Sequence, residues 1–191
     1  MNLPESVYPT QPQIDRGIEK FLFVSEGVRS VVKAIEYRHI FEMNGFPDGH
    51  PLNGRQVFNL GFGDYDILND HNEDSVLTEN GDARKVFNTV LHSIPKFFED
   101  HKNIVLMVQG SDGTDEFIDN CRKSCRKKCT DVCRNANRRI NIYKNYVNKN
   151  FSSLDIDYQF FGGVKTSPKE IYIEEYIVNK NYDSVFLIKR N

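Results

Sequence analysis

Four cysteines stand at Cys121, Cys125, Cys129 and Cys133, one every fourth residue, and the chain holds no other. Thiols at this spacing suit three kinds of chemistry. They can hold a soft metal such as Zn²⁺ as thiolates, work as a redox element, or pack as small apolar groups. Along a helix, an i, i+4 spacing sets each thiol one turn above the last. A single straight helix would separate the first and last by about 18 Å, too far for one tetrahedral ion with sulfur at about 2.3 Å. Such a helix offers two adjacent thiols, and a partner helix, a second subunit or His50, His71, His92 or His101 would complete the shell. The surrounding Lys and Arg would favour reactive thiolates, but no Cys-x-x-Cys is present to resolve them. The plainer alternative is an apolar stripe, shared with Ile118 and Val132, that lets the helix approach a neighbour closely. A Cys-bearing helix of this kind could also join two copies of the chain, with zinc as the bridge.

The cysteines lie in a basic stretch. From Cys121 to Lys144 nine basic residues accompany one acid, Asp131, so the stretch is +8 and the remainder of this −2 chain is −10. Candidate binding residues are Arg122, Lys123, Arg126, Lys127, Lys128, Arg134, Arg138 and Arg139. Segregated charge of this kind suits nucleic-acid phosphates or an acidic protein partner. It equally suits the solvated outer face of an amphipathic helix.

Enzyme signatures are sparse. There is no Gly-x-Ser-x-Gly, no phosphate-binding Walker loop, no His-Glu-x-x-His and no strand-linked Gly-x-Gly-x-x-Gly. Asp64, Asp66 and Asp70, and Asp112, Asp115 and Glu116, could hold Mg²⁺, although loop acids more often form solvated turns. The sequence therefore points away from an enzyme and toward a binding or regulatory domain.

The elements that would position these groups follow from hydrophobic patterning. Residues 20–42 read as an early hairpin, 56–62 as a half-buried strand, and 63–78 as a long polar loop. Asn80-Gly81-Asp82 opens a helix through Val86, Phe87, Val90, Leu91, Ile94 and Phe97, with Asp82 or Asn80 as cap and Pro95 as a kink or division. Residues 103–108 form a buried strand, followed by a polar loop over 109–114. A helical pattern then runs over 116–150, with a break expected near Asn135-Ala136-Asn137 that leaves a cysteine-bearing helix before it. Three strands close the chain, the last two reading as a hairpin around 179–182. The expectation is an α+β fold: a mixed, mostly antiparallel sheet with two or three helices. Residues 1–19 form an N-terminal extension and 20–191 a single domain, with 114–137 as a basic, Cys-containing helical insertion. No stretch approaches the roughly 18 apolar residues of a membrane span, and no signal peptide is evident, which leads one to expect a cytoplasmic protein without a membrane partner.

The order of elements resembles the core of the GCN5-related N-acyltransferases. In that family a Gly-rich loop before the central helix binds the pyrophosphate of acyl-CoA. The matching residues here are Asn80, Gly81, Asp82 and Ala83, with Thr78, Glu79 and Asp82 departing from the family pattern. The resemblance implies Tyr143, on the later helix, as the acid that would protonate a leaving thiolate; as a residue of this chain it fits a core position equally well. A closer resemblance is to small uncharacterised bacterial proteins of the Bacteroidota type. It rests on Val57–Asp64, on Asn80-Gly81-Asp82 leading into Val86–Val90, and on Gly110-Ser111 followed by Arg138, Arg139 and Tyr143. It implies bacterial origin and a single domain, but no activity.

Overall fold

A computed structural model describes residues 6–40, 46–73, 80–125, 127, 129–130, 132–167 and 170–190. The chain forms two compact units, Met1–Leu106 and Met107–Asn191. Its class is α+β, with mostly antiparallel strand pairing and three α-helices among the described residues.

In the first unit, β1 (Gln11–Asp15), β2 (Ile18–Ser25), β3 (Val31–His39), β4 (Gln56–Asp66) and β5 (His71–Glu73) pair antiparallel in chain order. Arg16 and Gly17, at φ 47° and 77°, make the two-residue turn between β1 and β2. Two positive φ values are what a tight hairpin with matching twist requires. The stretch before residue 20 thus carries a strand, and Tyr8 ahead of it is buried. The hairpin read over residues 20–42 is β2–β3. Of the polar stretch expected as loop, residues 63–66 extend β4 and 71–73 form β5, while 74–79 lie outside the described residues.

Cross-strand register places Glu19, Phe21, Phe23 and Ser25 on one face, beside Tyr37, Ile35, Lys33 and Val31 and then Leu60, Phe62 and Asp64. Helix α1 (Ala83–Asp100) packs there through its apolar stripe. Phe97, with no exposed surface, stacks on Tyr37 at 3.9 Å between ring centroids. Tyr37 Oη and Ser93 Oγ share a hydrogen bond of 2.6 Å, and His101 Nε2 meets Glu19 Oε2 at 2.6 Å beyond the helix end. Pro95 does not divide the helix. The His101 N–H still reaches the Phe97 carbonyl, so the last turn closes beyond the residue that lacks a donor.

Strand β6 (Ile104–Gln109) spans the division between the units. The second unit then holds a 3₁₀ turn at Ser111–Gly113, α2 (Asp115–Ser124), α3 (Arg138–Asp157), β7 (Tyr158–Ser167), β8 (Glu170–Glu175) and β9 (Ser184–Lys189). The expected β8–β9 hairpin is corrected: β7 is central and pairs antiparallel with both. The reason lies in two glycines of β7. A Cβ at Gly162 would come within 2.2 Å of the Tyr182 ring, and one at Gly163 within 2.3 Å of Ser184 Oγ. The chain after β8 therefore passes closely over β7 before β9 joins its other edge. Tyr182, 3% exposed, is held there by donating to Glu174 Oε1 at 2.8 Å and accepting from the Ile177 N–H at 3.1 Å.

The long helical pattern also breaks differently from expectation. Helix α3 starts at Arg138, as the Asn135–Asn137 break implies, with Asn137 in the left-handed conformation at φ 59°. Helix α2, however, ends at Ser124, so Cys121 alone lies within it and Cys125 is its C-cap. Continuing the helix would stack Arg122 on Arg126 and Lys123 on Lys127 at i, i+4, where like charges repel. The apolar stripe fails with it, since Val132 is 78% exposed.

Candidate functional site

Past Ser124 the chain folds back toward α2 and brings Asn135 to Cys121 and Cys125. The thiols influence one another's ionisation, Cys121 with Cys125 and Cys133, and Cys125 with Cys129. Asn135 supplies an amide to the group: Nδ2 donates to Cys121 Sγ at 3.2 Å and to Cys125 Sγ at 3.8 Å. The Arg134 N–H donates to Cys129 Sγ at 3.4 Å.

These bonds separate the thiols electrostatically. The Lys127 N–H and the other donors around Cys125 outweigh its partial burial and hold it below the ordinary thiol range. At Cys121 the Asn135 amide pulls downward, but partial burial and the hydrogen bonds to Cys133 and Cys125 leave it raised. Cys133 is buried and the other three are half-buried. All four are free thiols. Among the described residues, no three or more His, Cys, Asp or Glu side chains stand already gathered as a metal site.

The basic residues lie along the same stretch. Arg122, Lys123, Lys127, Arg134 and Arg138 are exposed and Arg139 is half-buried, while Arg126 and Lys128 lie outside the described residues. Helix α2 begins with Asp115 and Glu116 and ends with Arg122 and Lys123, which suits its dipole at both ends. Thr114 caps its start by accepting from the Phe117 N–H at 3.1 Å. Lys123 and Lys127 reach the neutral amides of Asn120 and Asn135, and Arg122 approaches Asp119 at 3.7 Å.

At the start of α3, Asp112 is 4% exposed and accepts the Arg139 backbone N–H at 3.0 Å. Arg139 Nη1 donates to Ser111 Oγ at 2.7 Å. Gly110 and Gly113 permit this approach, since a Cβ on Gly113 would meet Asn137 Oδ1 at 2.2 Å. Tyr143 follows Arg139 by one helical turn, and burial pushes its phenol up to about 12 against the opposing pull of Arg139. It is protonated at neutral pH.

Asn80, Gly81, Asp82 and Ala83 lie in the first unit, where they tie α1 to the sheet. Asp82 occupies the N-cap of α1 but makes no capping bond with its side chain. Its Oδ2 instead accepts from Tyr8 Oη and Ser25 Oγ, each at 2.7 Å. Burial works against this carboxylate, but the Ser25 and Tyr8 hydroxyls hold it below its ordinary range. Asn80 bridges Ser25 Oγ and the Arg29 carbonyl, at 2.9 and 2.8 Å, and receives the Arg29 N–H. Gly27 fits because a Cβ there would meet the Asn80 carbonyl at 2.6 Å. The helix start therefore presents a negative charge where a pyrophosphate would need a positive field.

The acidic stretch of β4–β5 is similarly engaged. Lys33 pairs with Asp64, buried Lys20 pairs with Asp70, and Tyr65 also donates to Asp70. The Lys20 bond, followed by that from Tyr65, holds the Asp70 carboxyl far below its usual range. Asp66 takes up the Leu68 and Asn69 N–H groups of its own turn. These acids work as turn formers and ion-pair partners. Asn135, Ser111 and Asp112 are the site residues that sequence patterns gave no reason to place beside the cysteines or Arg139.

Residues 5–115 of the chain match a family of unknown function, DUF6934, and because they make up more than half of it, the protein belongs to that family. The match ends before the first cysteine. No curated protein and no solved structure gives a significant match, so neither the N-acyltransferases nor a source organism is indicated. No helix among the described residues is long and apolar enough to cross a membrane.

Proposed function

We propose that this DUF6934 protein is a binding protein that holds the phosphate backbone of a nucleic acid on its basic segment, Cys121 to Arg139. The observation that supports this is the exposure of Arg122, Lys123, Lys127, Arg134 and Arg138 in one short stretch that turns back toward α2. The arginines matter most, because a planar guanidinium can donate two parallel bonds to a phosphate. Each phosphate neutralised releases condensed counterions, which drives binding at low salt. The segment contains no Phe, Tyr or Trp. It offers cations without a stacking platform, so binding is to backbone and largely independent of base sequence. The segment lies beyond residues 5–115, outside the part of the chain that matches the family.

A gel-shift or filter assay with DNA and RNA at low salt tests the reading. Binding that weakens steeply as salt rises is expected. Absence of binding to either nucleic acid overturns it, and equal or tighter binding to an acidic polypeptide assigns the segment to a protein partner instead.

A further inference from the structure

We propose that the sheet face of the first unit turned away from α1 binds a free α-amino acid with a small side chain, taken as the zwitterion. Directly opposed residues of neighbouring antiparallel strands point to the same side of a sheet. The register sets Lys20 opposite Glu36, Glu36 opposite Gly61 and Arg38 opposite Asn59, so these five share one face. The alternate residues Phe21, Ile35 and Tyr37 belong to the other face, where Tyr37 stacks on Phe97 of α1.

Lys20 and Glu36 are 3% and 7% exposed, yet the gap between their charged atoms is 3.8 Å. Lys20 has a close partner in Asp70. Glu36 has none as good: among the described residues its nearest donor is Arg38 Nη2 at 3.4 Å, on an exposed guanidinium. Asn59 Oδ1, next to Arg38 on the same face, is buried and accepts no hydrogen bond from the described residues. A buried carboxylate and a buried carbonyl short of donors are costly, and a ligand that brings donors relieves both.

There is room for one. Gly61 lies across from Glu36, and a Cβ on it would meet no atom of the described residues within 4 Å. Gly61 is not among the glycines with positive φ, so its conformation does not demand glycine. What the missing side chain provides is space beside the Glu36 carboxylate.

Charge selects the ligand. Lys20 and Arg38 are two cations, Glu36 and Asp70 two anions, and a ligand with net charge would unbalance this partly buried set. A zwitterion leaves it neutral. An α-amino acid carries its ammonium and carboxylate on one carbon, and Glu36 and Arg38 stand side by side with the opposite signs. The ammonium donates to Glu36 and Asn59 Oδ1, the carboxylate accepts from the Arg38 guanidinium, and the Cα with its small substituent lies over Gly61. The niche falls within residues 5–115, apart from the basic segment, so its test is independent of the nucleic-acid reading.

The test uses the full chain without nucleic acid. Calorimetric titration with glycine, L-alanine and L-serine should show one site per chain. Acetate, methylamine and N-acetylglycine, which each carry a single charge, should bind more weakly than glycine, and so should glycylglycine, whose two charges lie a residue further apart. Arg38→Gln, at an exposed position, and Glu36→Gln should each weaken glycine binding about 10- to 100-fold. Gly61→Val suits a strand and fills the open space, so it should abolish binding while the unliganded protein melts no lower than the wild type. Absence of binding by all three amino acids would overturn the proposal. So would acetate or methylamine binding as tightly as glycine, wild-type affinity in Arg38→Gln or Gly61→Val, or tighter binding of glycylglycine, which would assign the niche to a peptide N-terminus.

Discussion

The salt dependence of nucleic-acid binding turns the exposed cations into a number. Five described basic side chains of the segment are exposed: Arg122, Lys123, Lys127, Arg134 and Arg138. If each neutralises one phosphate, log K should fall against log salt with a slope of about −3.5 on a single strand and about −4.5 on a duplex. Between 50 and 200 mM salt, affinity should therefore drop about 130-fold and about 500-fold respectively. The double variant Arg134→Gln/Arg138→Gln removes two contacts and should flatten the slopes by about 1.4 and about 1.8. Lys149→Gln, an exposed lysine further along α3, is the control and should leave the slope unchanged. Fluorescence anisotropy with a labelled strand of mixed sequence, titrated at four or more salt concentrations, measures all three proteins. A wild-type slope shallower than −1, or a double variant with the wild-type slope, refutes the assignment of these cations to phosphates. A loss confined to one base sequence also refutes it, because backbone contacts read no bases.

The remaining expectations concern the fold that carries this segment. Asp82 has a depressed folded pKa, so the unfolded state binds its proton more readily, and its stabilisation is present above about pH 4 and lost as pH falls through the folded value. Tyr8→Phe should cost about 1–2 kcal/mol in urea denaturation at pH 7, and Asp82→Asn should remove part of the acid-induced loss of stability. Phe97→Ala, at a site with no exposed surface and a stacked Tyr37, should cost about 3–5 kcal/mol in the same assay. Gly162→Ala forces its methyl into the Tyr182 ring and should lower the urea midpoint by the equivalent of about 1–3 kcal/mol; an unchanged midpoint would mean the crossing over β7 is loose.

Much of the first unit was legible because its signals are local. The run Phe21–Val24, the alternation of Gln56–Phe62 and the helical recurrence of Val86, Val90 and Phe97 each declare their element without reference to the rest of the chain. The β8–β9 pairing was misread because strand order depends on contacts distant in sequence. Nothing near Asn179–Tyr182 discloses that Gly162 and Gly163 leave room for the chain to cross β7. Asp82 was legible as a helix start but not as an anchor, since its partners Tyr8 and Ser25 are 74 and 57 residues away.

The cysteine segment failed for a different reason, and it is the more instructive case. A four-residue repeat fits a helix, but the residues between the cysteines are mostly Lys and Arg, whose i, i+4 stacking opposes the helix that the repeat suggests. The same charges that end α2 let the chain return, and the return is what brings Asn135 to Cys121. Charge and thiols are thus two parts of one arrangement. Cations keep the segment from forming a rod. The Asn135 bridge to Cys121 and Cys125 would in turn hold the cations of this turn in place, lowering the ordering entropy that binding an anionic backbone would otherwise cost.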